Sequence, residues 1–138
     1  MKILVMGLPG SGKTYLSERL QKHLSCAWFN ADAVRQMAND WDFSEEGRLR
    51  QARRMRTVSS FEKSEGRTVI CDFVCPTELT RYIFEPDYLI WMNTIPRSQY
   101  EDTNKMFEPP NYADLVIERF LTDEEISSLV SRITGVHQ

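Results

Sequence analysis

The sequence predicts an α/β fold with a central, mostly parallel five-stranded sheet covered by helices on both faces, three layers in all. Three observations predict it. Short apolar runs alternate with longer stretches in which apolar residues recur at helical spacing. A glycine-rich turn joins the first run to the first helical stretch. At 138 residues the chain has room for one core and no second one, so a single domain is read over residues 1–138.

Each element follows from local chemistry. Residues 2–6 are the first strand, an apolar run cut off by Gly7. From Lys13 the pattern turns helical: Leu16, Leu20 and Leu24 recur, with Glu18, Arg19, Gln21 and Lys22 between them. Residues 26–30 are a second strand, and Asp32 to Met37 a brief helix. Ser44 reads as an N-cap, with Glu45 and Glu46 at the positive end of a helix that runs to about Glu65 and stops at Gly66. Residues 68–73 are the third strand, 76–84 a helix, 87–93 the fourth strand and 114–117 a short fifth one. Thr122 and Glu125 form a capping box; Ile126, Leu129, Val130 and Ile133 make the apolar stripe, and Gly135 ends the last helix.

Composition narrows the class of partner. The net charge of −3 gives no bulk attraction to nucleic acid, so such a partner needs a local basic patch. Cys26, Cys71 and Cys75 lack metal-ligand spacing and read as reduced, mostly buried thiols of a cytoplasmic protein. No transmembrane span is present, and the N-terminal apolar run is too short for a signal-peptide core, so no membrane partner is expected. A homodimer is left open.

Gly7-Leu8-Pro9-Gly10-Ser11-Gly12-Lys13-Thr14 fits G-x-x-x-x-G-K-[ST], after a strand and opening a helix. A loop with little side-chain bulk aims successive N–H groups inward and cradles phosphate oxygens, and the helix adds its positive end. Lys13 reaches the terminal phosphates, the Thr14 hydroxyl ligates Mg²⁺, and Tyr15 follows beside the nucleotide. ATP and Mg²⁺ are therefore the expected cofactors, and the fold is that of the P-loop NTPases. The guanine-reading N-K-x-D is absent, since Asn104-Lys105 continues with Met106-Phe107. Asp72 is the one acid placed to hold a magnesium-bound water, although a strand-end turn explains it equally well.

Two further clusters point to a phosphoryl acceptor. Asp32 and Arg35, three apart after the second strand, supply a carboxylate for the acceptor hydroxyl and a cation near the transferring group. Arginines 48, 50, 53, 54 and 56 share one helix. Most are expected to be solvated or paired with glutamates, with one or two facing an anionic substrate and Phe43 offering a ring for a base.

In this order the clusters resemble those of the adenylylsulfate (APS) kinases, small P-loop kinases that phosphorylate the 3′-hydroxyl of adenosine 5′-phosphosulfate. Their D-G-D-x-x-R is similar to Asn30-Ala31-Asp32-Ala33-Val34-Arg35, and their G-F-S-x-x-D-R-x-x-N-x-R-R to Asp42-Phe43-Ser44 with Arg48, Gln51, Arg53 and Arg54. Their F-I-S-P resembles Phe73-Val74-Cys75-Pro76, and their Y-E-x-P resembles Phe107-Glu108-Pro109-Pro110. The likeness spans residues 2–117. It implies Asp32 and Lys13 as catalytic, and Arg35, Phe43, Arg48, Gln51, Phe73, Val74 and Lys105 as contacts to a small nucleotide acceptor. The chain departs from the pattern at Asn30, Gln51 and Cys75, and in a lid shortened between Asp102 and Pro110. A nucleoside or nucleotide kinase is an alternative, and so is a polynucleotide 5′-hydroxyl kinase, which shares the loop and the Asp32–Arg35 spacing. It is not favoured, because neither a basic stripe nor a second aromatic platform is seen. A nucleotide-dependent switch is the alternative from outside the enzymes.

Overall fold

The computed structural model describes residues 1–135. Its elements run β1 (Lys2–Met6), α1 (Lys13–Leu24), β2 (Ala27–Asn30), α2 (Ala31–Ala38), α3 (Glu45–Ser64), β3 (Val69–Asp72), α4 (Glu78–Phe84), β4 (Tyr88–Met92), α5 (Glu101–Met106), β5 (Leu115–Ile117) and α6 (Asp123–Thr134). All five strands are parallel, in the order β2-β3-β1-β4-β5.

Strand β1 lies at the centre, so both its faces are covered and all five residues are buried. Alternation sorts its side chains. Ile3 and Val5 join Leu16 and Leu20 of α1 and Ile126, Leu129 and Ile133 of α6. Leu4 and Met6 pack on the other face with Ala52 and Met55 of α3 and Phe84 of α4. Truncating Leu16 or Ile126 to alanine would cost about 2–5 kcal/mol, the range for a fully buried aliphatic side chain.

The expected caps form. Ser44 Oγ accepts from the Gly47 N–H at 3.1 Å, and Thr122 and Glu125 cap each other's backbone. One element was not signalled by the sequence. Helix α5 has six residues, no side-chain cap and no apolar stripe; it is pinned from outside, through Thr103. No described helix is long and apolar enough to cross a membrane.

This topology places the carboxyl ends of the strands along one edge, where ligands of such sheets bind. The turn after β1 is central, the β2–α2 junction lies at one end and the segment after β5 at the other.

Candidate active site

The glycines of the turn after β1 are required by both space and angle. A Cβ on Gly7 would stand 2.7 Å from the Met92 carbonyl oxygen. Gly12 sits at φ +98°, where its Cβ would meet the Phe120 ring at 2.8 Å. Side chains cap α2, α3, α4 and α6, whereas α1 has no side-chain cap and no acid in its first turn. Its free N–H groups and positive dipole end are thereby left for an anion.

Lys13 Nζ donates to the Leu8 carbonyl at 3.0 Å, holding the ammonium inside the loop. Burial lowers its pKa, while the carboxylates of Asp72 and Asp32 oppose that shift. Asp72 ends β3 and is itself buried. Trp28 Nε1 donates to one of its oxygens at 2.6 Å and Asn30 Nδ2 to the other at 3.0 Å. Burial nevertheless pushes the Asp72 carboxyl upward, against those hydrogen bonds and Lys13. Asn30 Nδ2 also lies 3.4 Å from Thr14 Oγ1, which joins loop, β2 and β3 in one polar cluster. Asp72 therefore faces the loop from within the site and is more than a strand-end turn residue.

Asn30 has a second task. Its Oδ1 accepts from the Ala33 N–H at 3.0 Å and caps α2, so Asp32, two residues further on, is left exposed at the cleft. Arg35 is buried one helical turn after Asp32, and its Nη1 donates to the carbonyls of Asp40 and Asp42. Arg48 is buried as well, donating to the Phe43 carbonyl at 2.8 Å and to Thr103 Oγ1 at 2.7 Å. Both guanidiniums neighbour the half-exposed Phe43 ring, its centre 4.3 Å from Arg35 and 5.5 Å from Arg48. Arg35 keeps Nε and Nη2, and Arg48 keeps Nη1, without a partner among the described residues.

Of the remaining arginines, Arg53 is exposed and Arg56 lies 3.9 Å from Glu85, as expected, while the other two correct the expectation. Arg50 and Arg54 pair with aspartates rather than glutamates, because the loop before α3 folds back over the helix. Asp40 accepts from Arg50 at 2.7 and 3.0 Å and from Arg54 at 2.7 Å; Arg50 also reaches Asp42. Arg50 and then Arg54 hold the Asp40 carboxyl well below the usual carboxylate range. A depressed pKa stabilises the fold fully above the unfolded value, and that contribution fades as pH falls through the folded one. Between about pH 5 and pH 2, Tm of the parent should fall more steeply than Tm of Asp40→Asn. Parallel curves would show that this carboxylate adds nothing.

Lys13, Asp72, Asp32, Arg35, Phe43 and Arg48 share one cleft of about 790 Å³, which the Asp40 ion-pair cluster does not line. Pro9, Gly10, Gly12, Lys13, Thr14 and Tyr15 contribute from the loop and α1, with Gly7, Leu8 and Ser11 forming its backbone behind them. Asp32, Arg35, Phe43, Arg48, Gln51, Phe73 and Val74 line the other part. Gln51 acts as a brace, donating to the Ala31 carbonyl at 3.1 Å and accepting from Arg54 at 2.6 Å. Phe73 is largely buried, edge-on to Phe84. Lys105 is not brought in; it is exposed on α5 and outside the cleft lining. Sequence reasoning missed Trp41, Tyr100 and Phe120, all half-exposed at the cleft. Trp41 lies 6.5 Å from the Phe43 ring centre and supplies the second aromatic surface that the sequence did not reveal. The cysteines are free and buried, with Cys71 and Cys75 pushed up to about 12 by burial, so both are thiols and not nucleophiles.

An uncapped helix behind a glycine loop, on a parallel sheet, defines the P-loop NTPase fold. The model of the AAA domain family matches residues 3–105, and the chain belongs to that family. Solved structures with this fold include the APS kinase of Mycobacterium tuberculosis in complex with AMPPNP and APS, at TM-score 0.78 and 16% identity, covering 96% of each chain. Shikimate kinase from Aquifex aeolicus is similar at TM-score 0.66 and 17% identity, covering 98% of this chain and 97% of that one. A gluconokinase from Sinorhizobium meliloti aligns at TM-score 0.66 and 14% identity, covering 99% and 97%. No curated protein matches the sequence.

Proposed function

We propose that this chain is a small P-loop kinase that transfers the γ-phosphoryl group of ATP to a hydroxyl, with the 3′-hydroxyl of adenosine 5′-phosphosulfate as the favoured acceptor. One observation carries the reading. Asp32 is exposed in the same cleft as Lys13, beside two buried guanidiniums with unused donors and an aromatic ring. A carboxylate suits a hydroxyl, the guanidiniums suit an anionic acceptor, and Phe43 suits a base. Structural neighbours that act on APS, shikimate and gluconate agree with a kinase but do not single out the acceptor.

In this reading the triphosphate lies in the loop, its oxygens on the free N–H groups of α1. Asp32 orients the acceptor hydroxyl and takes its proton as the new P–O bond forms, while the bond from the γ-phosphorus to the β–γ bridging oxygen breaks. Lys13 stabilises the charge on the transferred group and on the bridging oxygen, which keeps the electron pair of the broken bond and departs with ADP. Mg²⁺ fits the donor set: one hydroxyl, Thr14, and one carboxylate, Asp72, held in a single hydrogen-bonded cluster through Asn30. That ion keeps water and takes few protein ligands, and when bound it neutralises phosphate charge.

Trp41 supports a second reading, a 5′-hydroxyl oligonucleotide as acceptor, because two neighbouring rings can stack successive bases. A screen of γ-labelled ATP against APS, nucleosides, 5′-hydroxyl oligonucleotides and water tests the proposal. Transfer to APS above the others supports the first reading, transfer to the oligonucleotide the second, and transfer to water alone removes both. Phe43→Ala, at an exposed ring, should raise acceptor KM about tenfold and leave ATP KM nearly unchanged. Equal effects on the two substrates would make Phe43 a packing residue.

A further inference from the structure

We infer that Thr94, which lies outside the glycine-rich motif, is a positioning residue: its hydroxyl holds the Ser11–Gly12 peptide with the N–H turned to the phosphates. The inference rests on the kinase reading and deepens it, because it names what keeps the loop in its anion-binding form. Glycine itself raises the problem. At φ +98° Gly12 takes an angle that other residues avoid, yet glycine adopts the opposite sign about as readily. Its presence permits this loop and does not enforce it. Turning over the single peptide plane between Ser11 and Gly12 would put a carbonyl oxygen where an N–H had been, and a phosphate would meet a lone pair.

The chain that follows β4 lies against the loop. The Met92 carbonyl is the backbone group that confines Gly7, and the Ile95 side chain is the neighbour of Gly10. Between them, Thr94 Oγ1 donates to the Ser11 carbonyl at 2.7 Å, across 83 positions of sequence. No other donor reaches that carbonyl among the described residues. Ser11 cannot fix the peptide from its own side chain, since its Oγ is buried without a partner. The peptide before it is secured separately, by the Ser11 N–H donating to the Leu8 carbonyl at 3.1 Å.

The direction of the Gly12 N–H then follows. A trans peptide is planar, and its N–H points opposite to its C=O. Ser11 is fully buried and outside the cleft lining, whereas Gly12 lines the cleft. With the carbonyl drawn to the segment after β4, the N–H is turned to the cleft. It has no backbone partner among the described residues, and so remains for an anion. Thr94 is not part of the cleft lining, so it acts through the loop and not by touching the nucleotide.

Titration calorimetry with MgATP and with inorganic tripolyphosphate tests this on the parent and three variants. Thr94→Val keeps the shape and removes the hydroxyl. It should weaken both ligands by the same factor, about tenfold, the scale for one lost hydrogen bond. Thr94→Ala also lacks the donor and should match it. Thr94→Ser keeps the hydroxyl without the methyl group, and should bind both ligands within about twofold of the parent. A packing role for Thr94 predicts the reverse order, with the valine variant close to the parent and the serine variant weakened. That order, or a loss of MgATP affinity with tripolyphosphate unchanged, would overturn the proposal. Parental affinity in Thr94→Val rejects the role of Thr94 alone. A parent that binds neither ligand rejects the kinase reading with it.

Discussion

Lys13→Ala is expected to fold like the parent and to lose about three orders of magnitude in kcat, the scale for removing a preorganised positive group from the transferred charge. The fold survives because Lys13 opens α1, where alanine is a good helix former, and its ammonium is bonded to the Leu8 carbonyl rather than packed in the core. Its loss leaves Asp72 without the cation that opposes its upward shift, but Trp28 and Asn30 still hold that carboxyl. Tm should therefore stay within about 5 °C of the parent. Undiminished phosphoryl transfer would remove the kinase reading. A large fall in Tm would instead give Lys13 and Asp72 a structural role.

What the sequence made legible depends on the range of the force involved. Ser44 and Thr122 were readable because a cap bonds a residue three positions away, and both caps form. The layers were readable because alternation in β1 and the leucine spacing in α1 are local periodicities. Helix α5 was not, since its anchor is Arg48, 55 positions earlier in the chain. The glycine turn and the helix it opens were legible, because that motif is a run of contiguous residues.

The rest of the cleft is assembled from distant pieces. Nothing near Trp28 announces that its indole holds Asp72, 44 residues away. Arg35 was singled out apart from Phe43 and Arg48, and only the fold brings its guanidinium to the Phe43 ring. Aspartates rather than glutamates neutralise Arg50 and Arg54, because the turn through Asp40 lies over α3. Phe120 carries no local signal, being one phenylalanine before a helix cap. What marks it is the space above Gly12 that it fills.

Asp32→Asn is the more direct test of mechanism. Position 32 is the second residue of α2 and is not its cap, since Asn30 accepts the N–H of Ala33. Asparagine there keeps the size of the side chain and one acceptor oxygen, so helix and cleft should be unchanged. It cannot take a proton. In phosphoryl transfer the protein mainly positions groups and stabilises charge, and the carboxylate beside the acceptor is the part that handles the proton. The substitution also removes one of the two carboxylates that favour the charged form of Lys13, but the other, Asp72, exerts the larger effect. MgATP binding should consequently stay close to the parent's, while kcat falls by about two to four orders of magnitude. Single-turnover transfer and equilibrium titration of MgATP on the same preparation separate the alternatives. A kcat within a few-fold of the parent would make Asp32 a surface residue of α2. Weakened MgATP binding with kcat preserved would move it to the nucleotide side of the cleft, beside Asp72, and the acceptor hydroxyl would then have to be activated by another group.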